Sequence, residues 1–415
     1  MKSLENFCMK QIAIIGAGPG GLMTAEVLSQ QPGLVVTVFD AMPSAGRKFL
    51  QAGRGGLNIT HSKPINEFMA AYGARRTQIE PWIKSFGPDD ICNWVQSFGI
   101  DTFVGSSGRV YPQDMKAAPL LRKWLHRLRE QGVEFVMRHK WQGWSDDGSL
   151  LFQSPDGQKT YPADQLVLAL GGGSWPHLGS DGQWAAYFEP EHITKLLPAN
   201  CGFELAWSTI FKDKFAGQPL KSVALNVTDY QQCTWHQKGE CLITQDGIEG
   251  SLIYALSAPM RDSLMVDSEV DAYLDLMPDV SLEKLKQRLN KSRAKLSWSN
   301  LLKRAGLDAM RISLLREKLD ANAAQDLDQV ANTLKHYELN ITSPRPLSEA
   351  ISSAGGLKFE SLSAFSELTT RPGCYAIGEM LDWEAPTGGY LLTAVLAQAR
   401  YVAQHMVKQL AHNPT

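Results

Sequence analysis

The stretch from Gln11 to Asp40 limits what this chain can fold into more than any other. It opens on a short apolar run, Ile12-Ala13-Ile14-Ile15, bounded by polar residues, which predicts a buried parallel strand. Gly16-Ala17-Gly18-Pro19-Gly20-Gly21 follows at once and fits G-x-G-x-x-G. Leu22 to Gln30 reads as a helix with Met23, Ala25, Val27 and Leu28 available for packing. A second apolar strand, Leu34 to Phe39, then ends on Asp40. Strand, glycine turn, helix, strand and acid in this order are what a dinucleotide site requires.

Each position has a physical task. Gly16 permits a tight turn, Gly18 lets backbone approach a pyrophosphate, and Gly21 lets the helix pack close to its strand. Ala17, Pro19 and Gly20 complete the turn. The free N–H groups and positive end of the helix face the diphosphate. Asp40 is placed to accept from a ribose diol, with Ala41 beside it.

Other classes are narrowed by composition. A chain of 415 residues is too long for one small core, so two domains or one domain with a large insertion are expected. A net charge of −2 gives no global signal for nucleic acid, so such a partner needs a local patch. No apolar run approaches the length of a membrane span, and Met1 to Asn6 lacks a signal-peptide core, so no membrane partner and a cytoplasmic location are expected. None of the six cysteines (Cys8, Cys92, Cys201, Cys233, Cys241, Cys374) forms C-x-x-C or has metal-ligand spacing with histidine. Buried reduced thiols are expected, with no metal site and no redox-active cysteine pair.

Beyond Asp40, Gly46-Arg47-Lys48 and the glycine-rich run Gly53 to His61 form a loop able to wrap an anion with backbone N–H groups and cations. A solvated flexible loop is the alternative. Residues 62–130 read as mainly helical, with a turn and short strand at Gly105 to Tyr111 and a helix from Leu120 to Glu130. Strands then alternate with turns at Asp147-Gly148 and Asp156-Gly157. Gln165 to Leu170 is a buried strand running into Gly171-Gly172-Gly173. The texture changes near Leu196. Short apolar segments follow to about residue 277, and then a polar helical stretch rich in cations: Lys284, Lys286, Arg288, Lys291, Arg293, Lys295, Lys303 and Arg304. That run is either a solvated face or a basic docking surface. Gly373 to Glu379 reads as a strand ending in Gly-acid, and Pro386 to Tyr390 opens an apolar helix from Leu391 to about Gln409. This suits the other end of a flavin: the acid for the ribityl chain, the helix dipole for negative charge at N1/O2. A helix that merely caps the sheet is the alternative.

Together these segments, with Gly108-Arg109-Val110-Tyr111-Pro112, resemble the bacterial FAD-dependent oxidoreductases that include aminoacetone-oxidase-like and bile-acid-ring-reductase-like members. The chain has Leu57 where the family usually has cysteine, and Gln245 where it usually has histidine. The resemblance implies an α/β fold, a Rossmann-like FAD-binding domain split in sequence, with an inserted β-barrel-like plus helical module. The expected division is 1–195, an insert at 196–345 (β-rich 196–278, helical 279–340), and 346–415. It further implies non-covalent FAD held by Gly16 to Gly21, Asp40, Ala41, Gly46, Arg47, Lys48, Gly53, Asn58, Trp141, Ala169, Gly171, Gly378, Glu379, Gly389, Tyr390 and Leu391. Arg47 and Lys48 are expected to neutralise phosphate, and Trp141 to meet the adenine through its backbone. His61 is either a proton donor or a structural hydrogen-bonder. The activity expected is hydride transfer through flavin N5, with NAD(P)H as a transient reductant and a small-molecule substrate. A flavin-dependent RNA base-modifying enzyme and a non-enzymatic FAD-binding redox sensor are the alternatives.

Overall fold

The computed structural model describes residues 9–291 and 297–412. The chain forms two compact units, one of Met1–Leu197 with Ile351–Thr415 and one of Pro198–Ala350.

The first unit starts with β1 (Lys10–Ile15), whose Ile12, Ala13, Ile14 and Ile15 are all buried. Helix α1 spans Pro19–Leu28, three residues earlier than the apolar periodicity predicts. Pro19 sits in its first turn, where a missing N–H costs nothing, so the glycine turn itself is the helix N-terminus. Then come β2 (Leu34–Asp40), α2 (Arg47–Ala52) and β3 (Thr60–His61). Residues 62–130 contain four α-helices, Ile65–Ala70, Arg76–Ser85, Pro88–Gln96 and α3 (Ala117–Glu130). Between the third and fourth lie β4 (Thr102–Val104) and β5 (Arg109–Pro112), which pair antiparallel with each other while β3 pairs on the far side of β5.

Strand β6 (Glu134–Met137) returns to the main sheet. A meander of β7 (Lys140–Trp144), β8 (Leu150–Ser154) and β9 (Gly157–Tyr161) turns at the two Asp-Gly pairs. Then follow β10 (Gln165–Leu168), β11 (Cys374–Ala376) and a final helix α4 (Tyr390–His412). The sheet order is β11-β10-β1-β2-β6, every pair parallel. Its centre, β1, sets Ile14 against Val38 on one side and Val167 on the other. Near-continuous apolar strands are stable only where both faces are covered. The meander helps to cover one face by stacking Phe152 on Phe39 at 4.6 Å. Helices α1 and α4 pack together, with Val395 against Gly20.

The second unit holds a seven-stranded antiparallel sheet in the order Tyr337–Glu338, Asp271–Asp275, Pro219–Thr228, Thr234–Ile243, Gly247–Glu249, Phe203–Leu205, Ile341–Pro344. The expected β-rich and helical insert is present: the sheet is antiparallel, and its two edge strands, Tyr337–Glu338 and Ile341–Pro344, are consecutive in sequence, although no ladder joins them among the described residues. Helices Leu282–Lys291, Trp298–Arg304, Ala309–Lys318 and Leu327–Lys335 supply Leu285, Leu289, Leu302, Leu315 and Leu334 to its core. Part of the cation-rich stretch serves the unit itself. Lys286 pairs with Asp328 at 3.0 Å, and Arg311 donates to the Leu276 carbonyl at 2.7 Å. Arg293 and Lys295 lie outside the described residues.

Cys201, Cys241 and Cys374 are buried and in no disulfide, and burial pushes the pKa of the Cys241 and Cys374 thiols up to about 12. The expectation of buried thiols is corrected at Cys233, which is exposed, and Cys92, which is half-buried. No helix among the described residues is long and apolar enough to cross a membrane. Cys8 lies outside them.

A Cβ on Gly21 would stand 1.9 Å from the Gly16 carbonyl oxygen, whereas one on Gly18 meets nothing within 4 Å. Gly21→Ala is expected to cost about 3 kcal/mol or more in urea unfolding. Gly18→Ala, at an N-cap with ordinary extended backbone, is expected to cost less than about 1 kcal/mol.

Candidate cofactor site

The glycine turn divides its labour. Gly16 has φ 109°, and a Cβ there would lie 2.2 Å from the Ala169 carbonyl oxygen at the end of β10. Gly16 and Gly21 are thus demanded by the close approach of protein to protein. Gly18, at the N-cap of α1, has open space on its Cβ side. An uncapped helix N-terminus with bare backbone facing open space attracts a negatively charged group.

Asp40 is half-buried at the end of β2. Its Oδ2 accepts from the Ala17 N–H and its Oδ1 from the Met42 N–H, each at 2.7 Å. Burial raises its pKa, and the Met42 and Ala17 amides and the Arg47 charge pull it back. The predicted ribose acceptor is therefore also the clasp that holds the glycine turn. A carboxylate has about four acceptor sites, so capacity remains for a diol. Ala41 follows, exposed.

Gly46 (φ 68°) donates its N–H to the Ala17 carbonyl at 2.9 Å and so fastens the start of α2 to the same turn. From α2, Lys48 Nζ donates to both Glu379 carboxylate oxygens at 2.7 and 2.9 Å and to Ser174 Oγ at 2.7 Å. Glu379 also accepts from the Ser353 N–H at 3.0 Å, while Ser353 Oγ accepts from the Gly173 N–H at 2.8 Å. Four segments far apart in sequence meet in one polar knot. The Lys48 charge, expected to face phosphate, is met here by Glu379. Arg47 makes a 3.4 Å bond to Ser44 Oγ, and its buried Nε has no partner among the described residues. Gly53 packs against Ala117, where a Cβ would come within 2.6 Å.

The loop after β10 is held open by backbone bonds. Ala169 donates to the Ile15 carbonyl, and Gly171 (φ 71°) accepts from the Trp184 indole at 2.9 Å. Trp141, on β7, is buried edge-on between Trp144 and Tyr187 with its indole N–H unpartnered.

A second cluster surrounds the start of α4. Gly378 (φ 82°) donates to Gln398 Oε1 at 2.8 Å. A Cβ on Gly389 (φ 87°) would lie 2.6 Å from Thr60 Cα, so β3 lies directly against the helix start. Thr393 Oγ1 reaches Thr60 Oγ1 at 2.9 Å, and the Tyr390 carbonyl accepts from the Tyr72 hydroxyl at 3.0 Å. Leu391, half-buried, opens the helix beside Tyr390. The Tyr390 ring stacks on His61, centroids 5.4 Å apart and planes 16° off parallel. His61 Nδ1 accepts from the Lys63 N–H at 3.1 Å, which leaves Nε2 to carry the proton. Burial, then the Lys63 charge, lowers its pKa, which favours the neutral imidazole at neutral pH. Asn58 Nδ2 donates to the Thr60 and Val110 carbonyls, but its buried Oδ1 has no partner.

These features fit a flavin dinucleotide. The open face at Gly18 suits a diphosphate, Asp40 a ribose, and the orphaned Asn58 oxygen a ring N–H such as an isoalloxazine offers. Bound there, FAD would supply two-electron hydride chemistry. Ser174, Ser353, Gln398 and Tyr72 were not singled out in the sequence. Only Ser174, which follows the triple glycine, had a local signal.

Fold and site define a Rossmann-type FAD-dependent oxidoreductase. The chain belongs to the HI0933-like protein Rossmann domain family, which matches residues 10–405. It is 25% identical over 401 residues to a 3-dehydro-bile acid delta(4,6)-reductase of Clostridium scindens, covering 92% of this chain and 96% of that protein. It is 25% identical to a ribosomal RNA dihydrouridine synthase of Escherichia coli, covering 95% and 97%. Among solved structures, a 3-ketosteroid-delta4-(5alpha)-dehydrogenase from Rhodococcus jostii aligns over 97% of this chain and 98% of its own, with 13% identity and a TM-score of 0.47.

Three outcomes are expected. Gly18→Ala should weaken FAD retention at least about tenfold in a fluorescence titration, because its Cβ enters the space left for the ligand. Lys48→Met should cost about 2–3 kcal/mol in urea unfolding, since it strands the Glu379 carboxylate, only 9% exposed. Lys48 is itself a quarter exposed, which moderates the loss. Lys48→Met with Glu379→Gln should lose less than the two single changes summed.

Proposed function

We propose that this oxidoreductase saturates a carbon–carbon double bond conjugated to a carbonyl, with a reduced nicotinamide as the transient electron donor. One observation carries the reading: the relatives spanning more than nine-tenths of the chain bear names that describe saturation of a ring double bond, in a bile acid or in uridine. The two substrates differ in size and polarity but share that reacting unit. The chain's residues suit the task. Gly18, Asp40 and Arg47 would bind the cofactor's dinucleotide end, and Asn58 and the start of α4 would orient its ring. The absence of any cysteine pair among the described residues near the site agrees with direct transfer rather than a disulfide relay.

A free small molecule is the leading acceptor. Uracil within RNA is the second reading, favoured by the name of the Escherichia coli relative and by the cation-rich helices of the second unit.

Anaerobic mixing of the FAD-loaded protein with NADH or NADPH, followed by a 3-oxo-4-ene steroid acid or by uridine-containing RNA, tests the reading. The flavin bands are expected to bleach with one nicotinamide and to recover when a conjugated acceptor is added, with the saturated product seen by mass spectrometry. Bands that stay bleached with both acceptors would overturn it.

A further inference from the structure

Resting on the function just proposed, we infer that Arg109 is the anchor for the acceptor's carbonyl oxygen. The Arg109–Thr387–His61–Tyr390 cluster is, on this inference, the substrate-facing wall of the site. Arg109 lies on β5, in register with His61 across the β3–β5 ladder. Among the described residues its one hydrogen-bond partner is distant, Nη2 donating to Thr387 Oγ1 at 3.4 Å. Among the described residues, no carboxylate forms an ion pair with it. Within this unit Lys48 is matched by Glu379, Arg75 by Asp382 and Glu360, and Arg127 by Glu26, whereas Arg109 shares its lack of a carboxylate with Arg47, the cation assigned above to the cofactor's dinucleotide end. A half-buried guanidinium left with one weak hydroxyl contact keeps most of its five donors for another oxygen.

Its location is the second strand of the argument. Thr387 immediately precedes the Gly388–Gly389 turn at the head of α4, where Gly388 has φ 133° and its missing Cβ makes room for the Tyr390 ring. That ring lies on His61. The Arg109 charge reaches both rings: it adds to the burial and the Lys63 charge that lower the His61 pKa, and it opposes the burial that raises that of Tyr390. A cation, a flat aromatic wall and a neutral imidazole thus border the orphaned Asn58 amide through β3 and β5, to whose carbonyls Asn58 is tied.

The chemistry needs such a cation. A hydride arriving at the β-carbon of an enone or a uracil brings two electrons and one proton. The π pair shifts toward the carbonyl, whose oxygen takes the negative charge of an enolate. A proton from solvent then forms the α-carbon–hydrogen bond. The hydride would come from reduced FAD held at the site, and the two electrons it loses would be replaced by a reduced nicotinamide, itself oxidised in turn. Donors preset for the enolate oxygen act mainly in the transition state, where the charge develops.

The test uses 4-hydroxybenzaldehyde, whose phenolate mimics a planar enolate, titrated into the FAD-loaded protein and followed by absorbance. The wild type is expected to bind it as phenolate, with the phenol's own pKa lowered. Arg109→Met is expected to weaken binding by about 10- to 100-fold and to abolish the pKa shift. Arg109→Lys should restore part of both, and FAD content should be unchanged in each. Binding by Arg109→Met equal to wild type, or no phenolate binding by wild type, would overturn the anchor. Double-bond reduction, assayed on the same samples, separates the two ideas. Acceptor reduction with unaltered kcat/KM in Arg109→Met overturns the anchor and leaves the function standing. Arg109-dependent phenolate binding without any acceptor reduction overturns the function and leaves an oxyanion site.

Discussion

The structure depends on one close approach: the tips of β1 and β10 meet at Gly16, and α1 is seated on the Gly16 carbonyl through Gly21. Any side chain at either glycine would drive backbone into backbone, 2.2 Å and 1.9 Å from carbonyl oxygens. Backbone cannot yield as a flexible side chain does, so the sheet spacing, the helix position and the direction of the helix N-terminus are set together. The open ground in front of Gly18 is a consequence. Because the turn is pinned on both sides, the ligand face is preorganised.

The second layer of order is polar. Asp40 clasps the turn through Ala17, and Gly46 hooks onto the Ala17 carbonyl. Lys48, Glu379, Ser174 and Ser353 then tie α2 to the loops after β10 and β11. A buried ion pair adds little net stability once its desolvation is counted, but it specifies geometry because each misplacement strands a charge. This explains why residues that look from sequence like independent cofactor ligands behave as a connected frame. Arg109 departs from that pattern. Lys48 and Arg75 meet carboxylates, whereas Arg109, like Arg47, meets only a hydroxyl among the described residues.

Much of the fold was legible locally. Parallel strands buried on both faces must be apolar throughout, and β1, β2 and β10 announce themselves that way. Asp-Gly pairs mark the meander turns because few other residues accept that backbone. The early start of α1 was missed because periodicity reports packing, while Pro19 and Gly20 belong to the helix through backbone geometry alone. The strand order of the second unit is not legible locally, since antiparallel strands have the same alternating pattern whichever neighbours they pair with.

What the sequence by itself determined is the nucleotide-binding architecture and its ligand class, because glycine spacing, strand hydrophobicity and helix start are properties of contiguous residues. Only the tertiary structure decided what each charged group does. Lys48 and Glu379 are 331 positions apart, and Arg109 and Thr387 are 278 apart. A cation's role is set by the partner it meets, and no local pattern records which distant segment will supply that partner.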